Sequence, residues 1–511
     1  PRQKPPIESQ KREGMAQTRF SPRTSRRAGT RRCWLWAAGV LLAAIPAAHA
    51  QVTTSDLADY RAWGLTTAAQ IDDDLRRTNS QLYAERANLF GQHLGGINGY
   101  AFVWPTATQF RVRNSVYEAA PVNVNRQRLL AMSDELQQAY WHQSADQQNG
   151  YVVAPGSTER YYDDNAHLVV ALAEAYELTG EQRLLDRAIA THAFVLEGED
   201  NFQDGGIYFR EGSFGNNNTI STLQEARGAA MLYQATGQQP FLDDATRLLE
   251  WTNSHVQRSD GLYYQEYRST GIDDISNVPL ANGAGMGILA NLEMYEITLD
   301  EAYLEEAQRV GARSSQHFAA ADNGRIFSAG YWGFELVDAW VDLYHYDRDP
   351  RWLDDASRAI EFLNSSVADG NGRYGQDWNV ASTGILSEWD LNNQAPVARA
   401  YLDTGLADTP AEPGDFNLDG LINAADWTIF AANSHADFSG LLASERFLRG
   451  DLDRDGDSDF RDFRTFKNIY IAVNGESAFA SLLAAPEPAA GLLLCVIVCG
   501  TTAGHRWRTE I

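Results

Sequence analysis

Two kinds of apolar pattern alternate along the middle of the chain. Over residues 168–178 nearly every position is apolar, which predicts a helix that is buried on all sides. Over residues 183–196, Leu, Ile and Val recur at helical spacing among Arg and Asp, which predicts an amphipathic helix with one face in solvent. The pattern therefore predicts helical hairpins, each built from one inner and one outer helix.

A sequence frame accompanies these hairpins and occurs four times. In each copy a tyrosine is followed eight residues later by a bulky residue, then Leu, then an acid, with Ala two positions further on. The tyrosines are Tyr176, Tyr233, Tyr295 and Tyr344. Their spacing of about 55 residues indicates an internal repeat. We predict an all-α fold, an (α/α)6 barrel over residues 51–403, with an open helical solenoid as the alternative.

Glycine-aromatic loops follow the predicted outer helices. Examples are "GGIYF" at 205–209, "DGLYY" at 260–264 and "NGRIF" at 323–327. In a barrel of alternating helices these loops gather at one end, so they predict an aromatic mouth. The flat faces of aromatic rings pack well against the C–H faces of sugars, and the chain holds 13 Trp and 22 Tyr. The loops therefore favour a carbohydrate site.

A pair of adjacent acids, Asp163 and Asp164, stands where an inner helix begins at this mouth. Carboxylates at that position can cap a helix, because they accept hydrogen bonds from its first N–H groups. Two carboxyls about 5–5.5 Å apart are also what a retaining glycosidase needs. The flanking Tyr161 and Tyr162 and the place at the mouth favour catalysis. A second acidic pair, at 273–274 in the next mouth loop, is the other candidate.

Three stretches resemble glycoside hydrolase family 76: "YYDDNAHLVVALAEAYELTG", "GGIYFREGSFGNNNTIS" and "DGLYYQEY". That family contains endo-α-1,6-mannanases on an (α/α)6 barrel, which retain anomeric configuration and use two consecutive aspartates. The resemblance covers roughly residues 85–400. It implies a secreted retaining hydrolase of α-mannan with Asp163 as nucleophile, Asp164 as general acid/base and no cofactor in catalysis. His167 replaces a Trp that is common in the family. The expected substrate-binding residues are Tyr161, Tyr162, Asn165, Tyr208, Tyr264 and Trp332.

Two other functions fit the same pattern. One is an (α/α)6 hydrolase or lyase that acts on another polysaccharide. The other, from a different class, is a surface protein that binds glycans through the barrel without cleaving them.

Residues 404–414 form a predicted linker, and a second module follows at 415–475. The segments "DFNLDGLINAAD" (415–426) and "DLDRDGDSDFRD" (451–462) place oxygen-bearing residues at positions 1, 3, 5 and 9, Gly at 6 and Asp at 12. This is the pattern of an EF-hand calcium loop, whose position 7 contributes a main-chain carbonyl. The predicted Ca²⁺ ligands are Asp415, Asn417, Asp419, Leu421, Asn423 and Asp426 in the first loop, and Asp451, Asp453, Asp455, Asp457, Asp459 and Asp462 in the second.

Because each loop precedes a helix-like run, this small α-helical module resembles a type I dockerin. The resemblance implies structural calcium and a cohesin-like protein partner. The loops begin 36 residues apart, at Asp415 and Asp451, which is longer than is usual in that family.

The sequences at the two ends of the chain predict that the protein is exported. Residues 1–50 combine an Arg-rich segment, the apolar run "CWLWAAGVLLAAIPA" and a small-residue cleavage site before Gln51, which is typical of a signal peptide. Residues 486–511 begin with Pro-Glu-Pro, continue with an apolar run and end with Arg, and they resemble a PEP-CTERM sorting tail. That tail implies sorting machinery and a cell-surface or extracellular location, with membrane anchoring before processing.

Net charge excludes one class of partner. The formal charge is −26, so the chain repels the phosphate backbone of nucleic acids. Its three cysteines, Cys33, Cys495 and Cys499, all lie in the two end segments, so the exported body has neither a disulfide nor a thiol nucleophile.

Overall fold

The computed structural model describes residues 51–142, 149–200, 205–268, 277–409 and 412–484. The chain divides into two units, Pro1–His49 and Ala50–Ile511, and the described residues all belong to the second unit. The predicted signal peptide, the predicted sorting tail and the acidic pair at 273–274 lie outside the described residues. Within the described ranges, none of the helices combines the length and the hydropathy that a membrane crossing requires.

Twelve of the described helices form two concentric rings. In chain order they are α1 (Thr54–Leu75), α2 (Val103–Ala119), α3 (Asn123–Tyr140), α4 (Tyr162–Thr179), α5 (Gln182–Leu196), α6 (Thr219–Thr236), α7 (Gln239–His255), α8 (Ala281–Thr298), α9 (Glu301–Phe318), α10 (Gly330–Asp347), α11 (Pro350–Phe362) and α12 (Leu391–Gly405). The even-numbered helices form the inner ring, in which each packs on the next and α12 packs on α2. This contact closes the ring, which an open solenoid would lack, so the helices are arranged as the predicted barrel requires.

Burial follows the two predicted patterns. On the inner helix α8 every residue from Ala281 to Tyr295 is buried, because neighbours and an outer helix cover it on all sides. On the outer helix α5 burial is confined to one face, which includes Leu184, Leu185 and Ala188. After α11 the chain makes a π-helical turn, Leu363–Val367, before the last loop.

The repeated tyrosines mark the short turns from an inner to an outer helix. Each tyrosine carbonyl accepts the N–H of the left-handed residue that ends its helix; these residues are Gly180, Gly237, Leu299 and Arg348. A left-handed conformation costs a residue with a Cβ about 1–2 kcal/mol, yet Leu299 and Arg348 adopt it, with φ of 55° and 58°. We call this side, with its tight turns, the closed end.

The opposite side, the mouth end, carries the longer connections and all the described strands. The strands are β1 (Arg86–Asn88), β2 (His93–Leu94), β3 (Trp141–His142), β4 (Gly150–Tyr151), β5 (Asn216–Asn218), β6 (Glu266–Arg268) and β7 (Glu388–Asp390). They pair antiparallel as β2-β1-β7, β3-β4 and β5-β6. The register Arg86↔Asp390 joins the loops that lead into the first and the last inner helix. The sheet therefore fastens the ring at the mouth end too.

The C-terminal module, residues 412–484, has its own apolar core. Its helices are α13 (Ala424–Asn433), α14 (Ala443–Phe447), α15 (Phe460–Asn474) and α16 (Glu476–Ala484). Phe416, Phe430 and Phe466 stack in the centre, with ring centroids 5.5–6.3 Å apart. Because α13 and α15 each follow one acidic loop, packing of their aromatic faces places the two loops in one compact unit.

Candidate active site at the mouth of the barrel

Asp163 and Asp164 occupy the first turn of α4, and neither is the capping residue. The residue before the helix is Tyr161, whose side chain makes no capping hydrogen bond. The backbone N–H groups of Asp163 and Asp164 act on the carboxyl of Asp163 and lower its pKa. Its Oδ1 is buried without a hydrogen-bond partner, and Asp164 is only 8% exposed. The pair therefore lies at the mouth end of an inner helix, with one oxygen left for a ligand.

The two carboxyls have different proton affinities. Burial raises the pKa of Asp163 to about 7, and the two backbone N–H groups limit that rise. Burial also raises the pKa of Asp164 well above its usual range, and the charge of Asp163 raises it further. At neutral pH Asp164 therefore keeps its proton while Asp163 can ionise. One acid and one carboxylate side by side is the arrangement that acid–base chemistry at a glycosidic bond requires.

Asn165 holds the mouth in shape. Its Oδ1 accepts the N–H of Tyr151 at 2.8 Å, and its Nδ2 donates to the carbonyls of Tyr151 at 3.0 Å and Tyr161 at 2.8 Å. The side chain is fully buried. It ties strand β4 to the beginning of α4, and these hydrogen bonds engage both ends of its amide group.

His167 lies one helical turn below the aspartates and is uncharged. Burial lowers the pKa of His167 to about 3, and the Arg111 guanidinium adds to the effect. Its Nδ1 is 3.3 Å from Nε2 of Gln224 and 3.7 Å from a carboxylate oxygen of Glu335. His167 is therefore an uncharged polar side chain that lies between the two aspartates and the charged interior of the barrel.

A buried network of ions fills the barrel axis below this layer. The guanidinium of Arg111 contacts Glu174 at 2.8 Å, Glu335 at 3.1 Å and Asp338 at 2.6 Å, and Arg111 is 1% exposed. Arg399, on the last inner helix, joins Glu174 at 3.4 Å and Asp338 at 3.5 Å. Charges on four inner helices thus neutralise one another in the interior, which confines chemistry to the mouth.

Four aromatic residues form a rim beside the aspartates. The rings of Tyr161 and Phe209 lie 5.2 Å apart and those of Tyr208 and Phe214 lie 5.4 Å apart. Phe209 and Phe214 are 45% and 78% exposed, and the carbonyl of Phe209 accepts the N–H of Tyr162 at 3.0 Å. We name Tyr161, Tyr208, Phe209 and Phe214 the aromatic rim. The sequence analysis missed both Phe residues, although they stand in one of the stretches that resemble family 76.

The other expected sugar contacts, Tyr162, Tyr264 and Trp332, differ in how much of the side chain is exposed. Tyr162 is buried against Phe194, with ring centroids 5.1 Å apart, so it packs the barrel wall. Tyr264 is half-buried and lies under the Arg258 guanidinium. Trp332 is half-buried at the beginning of α10. Only Tyr264 and Trp332 of these three present a partly open ring at the mouth end.

Trp332 belongs to a second aromatic group that the sequence did not reveal. Its ring lies 5.0 Å from that of Tyr331, which in turn lies 5.3 Å from Trp104 at the beginning of α2. Trp104 and Tyr331 stand more than two hundred residues apart in the sequence, so the folded barrel is needed to bring them together.

The two acidic loops of the C-terminal module share one hydrogen-bond pattern. The first acid accepts the N–H of the glycine at position 6, from Gly420 to Asp415 at 2.8 Å and from Gly456 to Asp451 at 3.1 Å. The last acid accepts the N–H at position 2, to Asp426 at 2.8 Å and to Asp462 at 2.7 Å. Both loops therefore turn their first and last carboxylates inward.

The second loop has the donor set of a site for a hard cation. Oxygens of Asp451, Asp453 and Asp462 lie within 4.8 Å of one another, and so do those of Asp455, Asp457 and Asp462. Asp451 is 2% exposed, and its Oδ1 is buried without a hydrogen-bond partner. Burial raises the pKa of Asp451 to about 6, and the charge of Asp462 adds to this. A divalent cation would satisfy both the free oxygen and the excess negative charge.

The closed ring of alternating helices thus brings the adjacent carboxyls of Asp163 and Asp164 to a mouth lined with aromatic side chains. Residues 78–331 match the sequence model of glycosyl hydrolase family 76. This match and the structural neighbours support a glycoside hydrolase that is similar to that family. No curated protein matches the sequence at a significant level.

Solved structures share the barrel. A family 76 α-mannanase from Bacteroides thetaiotaomicron is 28% identical, with a TM-score of 0.63, over 69% of this chain and 97% of that chain. An α-1,6-mannanase from Salegentibacter sp. is 16% identical, with a TM-score of 0.58, over 68% and 100% of the two chains. Its inactive variant, with two consecutive aspartates replaced by asparagine, forms a complex with α-1,6-mannotriose. A cellobiose 2-epimerase from Spirochaeta thermophila shares the fold, with a TM-score of 0.51 and 13% identity over 68% and 97% of the two chains.

Proposed function

We propose that the barrel is a retaining endo-hydrolase of α-1,6-linked mannan, with Asp163 as nucleophile and Asp164 as general acid/base. The observation that carries the proposal is the pair of adjacent carboxyls in the first turn of α4, where Asp164 is buried and Oδ1 of Asp163 has no hydrogen-bond partner. Burial and the charge of Asp163 raise the pKa of Asp164, which favours Asp164 as the proton donor. The α-mannanase neighbour at 28% identity supports the substrate class. The consecutive aspartates replaced in the inactive α-1,6-mannanase support the use of a pair.

The first step forms a covalent intermediate. The Asp163 carboxylate attacks the anomeric carbon, and the bond from that carbon to the glycosidic oxygen breaks. Asp164 donates its proton to the departing oxygen, so the leaving chain departs as an alcohol. The products of this step are a mannosyl ester on Asp163 and an ionised Asp164.

The second step uses the same two groups in reversed roles. Esterification removes the negative charge of Asp163, and with it the charge repulsion that raised the pKa of Asp164. Asp164 can then remain ionised long enough to take a proton from water. The water oxygen attacks the anomeric carbon, the ester bond breaks, and both carboxyls return to their original states. One water is consumed, and the anomeric configuration is retained.

The aromatic rim is proposed to bind sugar rings next to the bond that is cleaved. Its two exposed Phe rings are joined through the backbone of Phe209 to the residue that precedes Asp163. Such a surface binds a sugar ring mainly through its C–H groups, and a rim open to solvent accepts the interior of a long chain. This favours endo action.

The experiment is cleavage of α-1,6-mannan by the wild type and by Asp163→Asn and Asp164→Asn variants, with the products followed by NMR. We expect α-configured oligosaccharides from the wild type and a loss of at least about a thousandfold in kcat for Asp163→Asn. Undiminished cleavage by either variant would overturn the assignment. Binding of mannan without cleavage by the wild type would favour a glycan-binding protein, and cleavage of other glycans alone would favour a different polysaccharide.

We further propose that the two acidic loops hold structural Ca²⁺. In the second loop Asp451, Asp453, Asp455 and Asp462 would supply carboxylate oxygens and Asp457 its main-chain carbonyl. Titration of the full chain with Ca²⁺ in a calorimeter should show two sites, and Asp451→Asn should remove one of them. Heat from a single weak event, unchanged in the variant, would contradict the proposal.

Location and partners rest on segments outside the described residues. We propose export through residues 1–50 and surface sorting through 486–511, with a cohesin-like protein as a partner of the C-terminal module. Fractionation of cells that express the full chain, with and without residues 486–511, tests the sorting. Equal retention of both forms at the surface would contradict it.

A further inference from the structure

The segment between the two acidic loops packs on the barrel. It contains α14, which contacts the inner helix α10, and Leu442 and Ala443 lie against the apolar core of the barrel. The N–H of Ala443 donates to the hydroxyl of Tyr295 at 2.9 Å. The long spacing between the loops, unusual for a dockerin, therefore accommodates a docking element.

Arg446 is the charged centre of this contact. Its side chain is 10% exposed; its Nη2 donates to the hydroxyl of Tyr295 at 3.3 Å and pairs with the carboxylate of Glu301. Tyr295 is one of the four repeated tyrosines, near the end of α8, and Glu301 begins α9. Arg446 therefore attaches the module to the closed end of the barrel, opposite the mouth.

The second acidic loop makes an attachment of its own. Nη1 of Arg454, at position 4 of that loop, lies 3.9 Å from Asp347 and 3.5 Å from Asp349. Asp347 is 1% exposed at the end of α10, and Asp349 precedes α11. Burial raises the pKa of Asp347, and the charge of Arg454 acts against that rise. Arg454 thus compensates a buried acid of the barrel.

The first loop differs. Among the described residues, no hydrogen bond or ion pair of residues 415–426 reaches the barrel, and position 4 is the apolar Leu418. Two loops with one internal hydrogen-bond pattern therefore have different surroundings, and only the second is joined to the barrel.

The cation ligands and the docking residues of the second loop are directly linked. The N–H of Asp451 donates to the carbonyl of Arg446 at 3.2 Å, and Arg454 stands between the ligands Asp453 and Asp455 in the sequence. Without a cation, several neighbouring carboxylates repel one another. A cation that draws them together also fixes the backbone that carries Arg446 and Arg454.

We propose that α14 and the second acidic loop form a calcium-dependent clamp on the closed end of the barrel. In this arrangement the module is held against the barrel through its second acidic loop. A partner protein could then bind only at the surface around the first acidic loop. The inference rests on the proposed calcium site and not on the proposed hydrolase activity.

Hydrogen exchange of the full chain, with and without Ca²⁺, tests the clamp in peptides that cover 290–305 and 340–355 of the barrel. We expect Ca²⁺ to slow exchange there at least several-fold and to raise the unfolding temperature. Asp451→Asn should abolish the protection, whereas the matched substitution in the first loop, Asp415→Asn, should leave it in place.

A surface variant separates calcium binding from clamping. Arg454 is 37% exposed, so Arg454→Ala removes the ion pairs with Asp347 and Asp349 and takes no apolar side chain from either core. It should still bind two Ca²⁺ by calorimetry, but its peptide 340–355 should lose most of the calcium-dependent protection. Full protection in Arg454→Ala, equal protection in Asp451→Asn, or protection confined to 412–484 in the wild type would each overturn the clamp. These readouts do not depend on mannan cleavage.

Discussion

Replacing Asp163 by Asn should stabilise the protein, and more so at high pH. In the folded chain the Asp163 carboxyl remains protonated up to a pKa of about 7, whereas in the unfolded chain it ionises near its usual 3.8. Between these values unfolding releases a proton, so wild-type stability falls as pH rises from about 4 to about 7. Asn has a similar shape and cannot ionise, so the variant escapes this loss.

The size of the stability change follows from the pKa shift of Asp163. Moving the pKa from 3.8 to about 7 corresponds to ~4 kcal/mol of lost stability above pH 7, at about 1.4 kcal/mol for each unit. More than half of this loss falls between pH 5 and pH 8, so the gain from Asp163→Asn should be ~3 kcal/mol larger at pH 8 than at pH 5. With an unfolding entropy of about 2 cal/mol/K per residue and 511 residues, this is ~3 °C.

The assay is thermal unfolding of wild type and variant at pH 5 and pH 8, followed by circular dichroism. Asp243, exposed at the outer surface on α7, provides the matched control. Asp243→Asn should change the unfolding temperature equally at the two pH values. If Asp163→Asn destabilised the chain at pH 8, or gave the same shift at both pH values, the carboxyl would not be the buried, proton-retaining group described above.

Three further predictions follow from other parts of the barrel. Leu299→Gly should stabilise the chain by ~1 kcal/mol in denaturant unfolding, because Gly adopts the left-handed conformation without steric cost. Gly180→Ala should destabilise the chain by a similar ~1 kcal/mol. If neither variant changed the free energy of unfolding, the role of these turns would be refuted. Arg111→Met should destabilise the chain by at least ~3 kcal/mol in the same assay, because several buried carboxylates lose their positively charged partner. A change below ~1 kcal/mol would contradict the buried network of ions. Phe214→Ala should raise KM for mannan about fivefold, which corresponds to ~1 kcal/mol of binding free energy, and should leave kcat and the unfolding temperature unchanged. A decrease in kcat alone would show that Phe214 does not bind the sugar.

Local pattern was sufficient to predict the helices and the organisation of the barrel. Full burial of helices such as α8 and one-sided burial of helices such as α5 both follow from the spacing of apolar residues. The tyrosine frame also indicated where inner helices end. It did not indicate that Leu299 would adopt the left-handed conformation of Gly180, because packing at that turn overrides the preference of the side chain.

Contacts between distant segments could not be predicted. Arg111 finds its acidic partners only because the closed ring brings Glu335 and Asp338 to it from more than two hundred residues away. The hydrogen bonds of Asn165 to the backbone of Tyr151 also join segments whose pairing the sequence pattern does not indicate. The docking of α14 likewise depends on the hydroxyl of Tyr295, which accepts the N–H of Ala443 from 148 residues away in the sequence.

The central claim is that Asp163 becomes covalently attached to the sugar. Reaction of the wild type with an activated 2-fluoro mannoside, followed by peptide mass mapping, tests it directly, because the fluorine slows hydrolysis of the ester. The mechanism predicts one added mannosyl group on the peptide that contains the aspartate pair, with fragmentation assigning it to Asp163. Attachment to Asp164 or to any other residue, or complete turnover of a competent substrate without a trapped ester, would contradict it.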